Sequence, residues 1–252
     1  MTIWIFGDSF ADIRPIHRFL PELVETSWPY KLSQKYKVQN FAESGSGIGF
    51  SYAKFLENYH RISADDRVIF IASSFDRILL DRAMFSNQIK TPHINPGKLQ
   101  SHNKISKNKN LIIGLDSYYK FIHNPTTTFN SHYTTLIYLR LLLGKKLLLL
   151  QVFEEHSTEN FPLLAGKKNK IIDNPNMLLY GIQEHEQNNI WGNAYDLSNT
   201  KDYRCCHLTE IHHTMLYEKI NKWCETGKFF LSKKDLLSIP IEVQNKIKKQ
   251  NK

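Results

Sequence analysis

Ser9 stands in the run Phe6-Gly7-Asp8-Ser9-Phe10, directly after an apolar stretch, Thr2–Phe6, that reads as a strand. In open α/β sheets, ligands bind at the carboxyl ends of strands. Gly7 permits the sharp turn that holds a hydroxyl at the mouth of such a crevice. On its own, Gly-Asp-Ser is also an ordinary turn. Acyl transfer by a serine needs more: a base for its proton, a group that orients the base, and donors for the developing oxyanion. Three other places in the chain offer these groups. His207 lies just before the last helical pattern, with Asp202 upstream on the same segment to accept its second ring N–H. Gly45, in Asn40-Phe41-Ala42-Glu43-Ser44-Gly45-Ser46-Gly47, brings a backbone N–H toward a substrate oxygen. Ser73-Ser74-Phe75-Asp76-Arg77 adds further polar groups after another apolar run.

Positioning these groups falls to alternating strands and helices. Strands are expected over 2–6, 38–42, 68–72 and 147–153, the last two as continuous apolar runs typical of buried parallel strands. Helices are expected over 30–36, 50–59, 132–143 with Gly144 as its stop, and 210–225 with Thr209 as N-cap. Ile211, Met215, Ile220 and Trp223 line one face of the last helix. The alternation predicts a parallel sheet covered on both sides, in one domain over residues 1–240. Two polar, loop-rich insertions fall at about 81–130, with one short helix, and at about 154–200. A Lys-rich tail follows over 241–252.

Composition narrows the class. The chain has 252 residues, 41% apolar, enough for a sizeable core. Its formal charge of +9 suggests nucleic acid. Yet Lys98, Lys104, Lys107 and Lys109 share one polar loop, and Lys246, Lys248, Lys249 and Lys252 share the tail. Such clusters solvate more often than they dock, so no nucleic-acid partner is expected. The apolar stretch 136–153 is broken by Arg140, Gly144, Lys145 and Lys146, too often for a membrane span. No signal peptide is visible at the amino terminus, and three cysteines, two of them the neighbours Cys205 and Cys206, fit reduced thiols. The expectation is a cytoplasmic protein without a membrane partner. His207, His212 and His213, with Glu184-His185-Glu186, lack a metal-ligand spacing. No cofactor is expected.

Taken in order, these blocks resemble the SGNH hydrolases, the GDSL family of esterases and lipases. The resemblance runs from residue 2 to about 226 and is specific at Phe6-Gly7-Asp8-Ser9-Phe10, at Gly45 and at His207-Leu208-Thr209. It implies a three-layer α/β/α, flavodoxin-like sandwich in which Ser9 attacks an ester, His207 is the base and Asp202 orients it. The oxyanion glycine it implies is Gly45; Ser74, Ser73, Asp8 and Arg77 are the further residues expected to serve the oxyanion or the substrate. The implied partner is a small-molecule or glycan ester, with O-deacetylation of a glycan first by analogy.

Two positions depart from the family pattern. Its third block carries an asparagine amide, whereas this chain has Ala72-Ser73-Ser74-Phe75-Asp76. A hydroxyl of Ser74 or Ser73 can donate instead. The aspartate usual three residues before the histidine is Arg204 here. Asp202 fits the Asp-x-Arg-x-x-His form of divergent members, and the alternative is a Ser–His dyad oriented by a carbonyl. Arg77 binds an anionic substrate group or pairs with a surface carboxylate. The contrasting reading is a binding or structural protein on the same scaffold, with catalysis weakened by the missing asparagine.

Overall fold

A computed structural model describes residues 1–14, 21–73, 77–79, 93–94, 109–151, 208 and 210–229. Four strands, β1 (Thr2–Phe6), β2 (Lys37–Asn40), β3 (Arg67–Ala72) and β6 (Leu147–Gln151), form one all-parallel sheet in the order β2-β1-β3-β6. A separate antiparallel pair joins β4 (Ile78–Leu79) to β5 (His93–Ile94). Among the described residues the α-helices are α1 (Trp28–Ser33), α2 (Ile48–Asn58), α3 (Lys109–Ser117), α4 (Pro125–Leu143) and α5 (Glu210–Thr226).

Strand residues alternate between two apolar clusters, because successive side chains point to opposite faces. Ile3, Ile5, Ile69, Ile71, Leu148 and Leu150 pack with Trp28 and Leu32 of α1 and with Leu216, Ile220 and Trp223 of α5. Trp4, Phe6, Val68, Phe70, Leu147 and Leu149 pack with Ile48 and Phe55 of α2 and with Tyr133, Leu136 and Leu139 of α4. With both faces covered, the strands must be apolar throughout. That is the physical reason behind the runs Val68–Ala72 and Leu147–Leu150. The expected α/β class with a parallel sheet is what is observed.

Differences from the expected elements are local. Helix α4 begins at Pro125, seven residues before the expected start. Asn124 caps it, accepting from Thr127 N–H at 3.0 Å, and proline suits the first turn, where no N–H is needed. Its end is as expected: Gly144 takes φ +54° and donates its N–H to the Arg140 carbonyl. Lys109, expected in a polar loop, opens α3. Strand β2 ends at Asn40 rather than Ala42: Asn40 Oδ1 takes the Ala42 N–H at 3.0 Å, while Phe41 N–H still reaches Ile5 carbonyl at 2.8 Å. The β4–β5 pair was not expected. Most of both insertions, Thr209 and the tail lie outside the described residues. Among the described residues, no helix is long and apolar enough to cross a membrane.

The chain leaves β1 to build β2 on one side and then returns to build β3 on the other. The crevice beyond the carboxyl end of β1 is therefore the point where the strand order reverses, the usual ligand position in open α/β sheets.

Candidate active site

The first strand-end turn is fixed from below. A Cβ on Gly7 would sit 2.6 Å from Ile71 Cβ, so only glycine lets β1 end so close to β3. Asp8 is fully buried, and its Oδ1 accepts Phe10 N–H at 3.1 Å. Its carbonyl accepts from Ala11 and Asp12 at 3.1 and 3.0 Å, which coils the chain immediately after Ser9. Ser9 is partly exposed between buried Asp8 and buried Phe10. Ser9 itself is thus a partly exposed residue in the turn that follows β1.

The second turn closes onto the first. Gly7 carbonyl accepts Glu43 N–H at 3.0 Å and Ser46 Oγ–H at 2.9 Å. Ser46 N–H returns to Glu43 carbonyl at 3.0 Å, and Gly45 at the exposed tip adopts φ +82°. A left-handed tip of this kind favours glycine. Asp12 secures the outer side. Its carboxylate takes Arg14 Nε and Nη2 at 2.7 and 2.9 Å and Ser44 N–H at 2.8 Å. Arg14 Nη2 also reaches Ala42 carbonyl at 2.8 Å. Burial works to raise the pKa of the Asp12 carboxyl, but the Arg14 and Ser44 hydrogen bonds outweigh it and hold it below the ordinary value.

The third turn follows β3. Ser73 is buried and donates Oγ–H to Ser46 carbonyl at 2.9 Å. Arg77 Nη1 reaches Ser73 Oγ at 2.8 Å, Ser46 carbonyl at 3.0 Å and Asp8 Oδ2 at 3.1 Å. Arg77 thus has a carboxylate partner, but the fully buried Asp8 and not the surface carboxylate expected. Ser73 in the same arrangement spends its proton on a backbone carbonyl.

A fourth segment approaches through packing. Phe10 carbonyl accepts Trp28 Nε1–H at 2.9 Å, and Trp28 N–H points to His213 Nδ1 at 3.4 Å. The turn of Ser9 is thereby linked through α1 to the first turns of α5, and His213 is a buried packing residue. Leu208, next in the chain to His207, is buried in the cluster that holds Phe10 and Ala11. His207, Asp202 and Ser74 themselves lie outside the described residues.

Beside the two turns, a cleft of about 400 Å³ is lined by residues that include Arg14, Glu43, Phe50, Lys54 and Glu57. Arg14 pairs with Asp12 and Lys54 with Glu57 at 2.6 Å, and Glu43, 4.0 Å from Arg14, adds a third carboxylate. Sequence reasoning missed Ser46, Asp12 and Arg14. Ser46 had only its place beside Gly45 as a signal, and Asp12 and Arg14 only an opposite-charge pair shortly after Ser9. Compared with protein-family models, with curated proteins and with solved structures, the chain matches none.

Proposed function

We propose that the chain is a serine ester hydrolase of SGNH type, on a three-layer, flavodoxin-like α/β/α sandwich. The observation that carries this reading is the pair of hydrogen bonds from Glu43 N–H and Ser46 Oγ to Gly7 carbonyl. They make the turn of Ser9 and the turn of Gly45 one unit at the point of strand reversal. In the reading, Ser9 Oγ attacks the ester carbonyl carbon while His207 takes the proton, with Asp202 orienting the imidazole. The oxyanion is received by the N–H groups of Ser9 and Gly45 and by the Ser74 hydroxyl. His207 then returns the proton to the departing alcohol, and water releases the acid from the acyl-enzyme. Ser74 stands in for the missing asparagine, and Ser74→Ala is therefore expected to lower turnover by about 10²–10³, the usual effect of losing one oxyanion donor. The cleft, with paired charges, an additional carboxylate and the Phe50 ring, offers hydrogen-bond partners and a flat apolar face to the neutral alcohol of an O-acetylated glycan.

A fluorophosphonate serine probe tests the reading. Wild-type protein is expected to be labelled, with labelling lost in Ser9→Ala and in His207→Ala. No labelling of the wild type, or equal labelling of Ser9→Ala, refutes it. One observation favours the second reading, a binding protein on this scaffold: Ser73 gives its proton to Ser46 carbonyl and so leaves the oxyanion to fewer donors. Retained ester binding without acyl-enzyme formation would decide for it.

A further inference from the structure

We infer that Arg77 is a positioning residue that sets the geometry of Ser9 and Gly45 together, an inference that rests on the serine-hydrolase reading for its catalytic consequence. One guanidinium nitrogen, Nη1, lies within hydrogen-bond distance of three oxygens from three different strand-end turns: Asp8 Oδ2, Ser46 carbonyl and Ser73 Oγ. That nitrogen carries two protons, so three acceptors share them, and the three turns are held at one point.

Each tie acts on a neighbour that matters. Asp8 is fully buried, and its carboxylate requires compensation; Arg77 supplies the positive charge, while the other oxygen holds Phe10 N–H. Ser9 lies between those two residues. Ser46 carbonyl belongs to the Ser46–Gly47 peptide, so holding it fixes the plane of the peptide that leaves the Gly45 turn. The backbone of Arg77 takes part as well. A Cβ on Gly47 would stand 2.7 Å from Arg77 carbonyl, so the base of the second turn is seated directly on this residue. The Arg77 side chain is only 16% exposed, as expected of a tie inside the site.

Lysine and methionine separate this role from simple packing. Methionine fills the space without a donor, whereas a lysine ammonium brings three N–H groups to the same region. The experiment compares wild type, Arg77→Lys, Arg77→Met and Ser73→Ala by amide hydrogen exchange and by the rate of fluorophosphonate labelling. In Arg77→Met, exchange across residues 43–47 is expected to rise about tenfold or more, while amides in the middle of α4 are unchanged. The labelling step is expected to slow about 10²-fold, as for a misplacement near 1 Å, with affinity for the probe unchanged. Arg77→Lys is expected to recover part of both losses, and Ser73→Ala to show a smaller loss of the same kind. Unchanged exchange over 43–47 in Arg77→Met, or identical behaviour of the Lys and Met variants, overturns the inference. If Arg77→Met does not fold, a Ser73→Ala protein with wild-type exchange over 43–47 overturns it equally. A wild type that is never labelled refutes the hydrolase reading instead, and the exchange data still decide whether Arg77 ties the turns.

Discussion

Asp66 and Asp8 are buried carboxylates at opposite ends of β1, and their partners differ in kind. Asp66, 5% exposed at the amino edge, accepts Thr2 N–H at 2.6 Å, Trp4 Nε1–H at 3.0 Å and Ser63 N–H at 3.0 Å. All three donors are neutral and belong to the amino edge itself. Asp8 at the carboxyl edge is held by one backbone N–H and by Arg77, which it shares with Ser46 and Ser73. A carboxylate satisfied by its own surroundings closes an end of the sheet. One satisfied by a side chain from another turn couples turns, and that is the end at which Ser9 stands.

The largest expected effect separates these roles. Asp66→Asn removes charge-assisted hydrogen bonds and is expected to lower unfolding stability by about 2–3 kcal/mol in urea denaturation. The rate of serine labelling is expected to stay within about twofold, because the carboxyl-edge turns are untouched. Asp8→Asn is expected to slow labelling about tenfold or more through its effect on the Ser9 turn. Equal slowing by both variants would break the distinction between the edges.

Acid sharpens the same comparison. Burial opposes ionisation of Asp66, yet the N–H groups of Thr2 and Ser63 and the Trp4 indole draw its pKa down to about 2, from an ordinary 3.8. A depressed folded-state value stabilises the fold above the ordinary pKa, and the contribution is lost as pH falls toward about 2. At about 1.4 kcal/mol per unit, this amounts to roughly 2 kcal/mol. Asp12 shifts in the same direction. The stability of Asp66→Asn is therefore expected to fall less steeply than that of wild type between about pH 5 and pH 2. Parallel curves from chemical denaturation would place the acid sensitivity elsewhere.

How far each edge was legible follows from the range of the interactions that build it. Strands β1 and β3 read correctly because two covered faces force apolar runs, and α5 read correctly because one face of it must be apolar. The start of α4 was missed because Asn124-Pro125 signals a helix only when the residues after it are accepted as helical. The triplet at Ser9 and the tip at Gly45 are local patterns and were legible. The tie from Arg77 to Asp8 joins residues 69 positions apart, and no local spacing announces it.

Glycines give a smaller test. Gly47 at the carboxyl edge has Arg77 carbonyl 2.7 Å from where a Cβ would be, while Gly144, leading into β6 at the amino edge, has φ +54° and open space around it. Gly47→Ala must displace backbone and is expected to cost about 1–3 kcal/mol and to slow labelling. Gly144→Ala meets no neighbour but puts a Cβ at φ +54° and ψ −124°, a region that glycine alone adopts readily, and is expected to cost about 1–3 kcal/mol with labelling unaffected. Thermal melting and probe kinetics on the same samples check both.

Cys224 reports on the amino edge with the smallest expected change. It is buried late in α5, beside Trp223, whose ring lies 5.7 Å from the guanidinium of Arg67 at the start of β3. Burial pushes its thiol up to about 12. In the folded protein near pH 8 only about one thiol in 10⁴ is ionised, and the thiolate is the reactive form. Alkylation by iodoacetamide therefore has to wait for opening of this end of the molecule. Asp66→Asn, which weakens that end, is expected to speed alkylation of Cys224 about tenfold or more, in line with its loss of stability. Arg77→Lys acts at the other edge and is expected to change the rate by less than about twofold, even where serine labelling slows. Mass spectrometry of the Cys224 peptide distinguishes the outcomes. Equal acceleration by both variants would mean that the two ends open as one unit, and the division of labour between Asp66 and Asp8 would then be one of chemistry and not of stability.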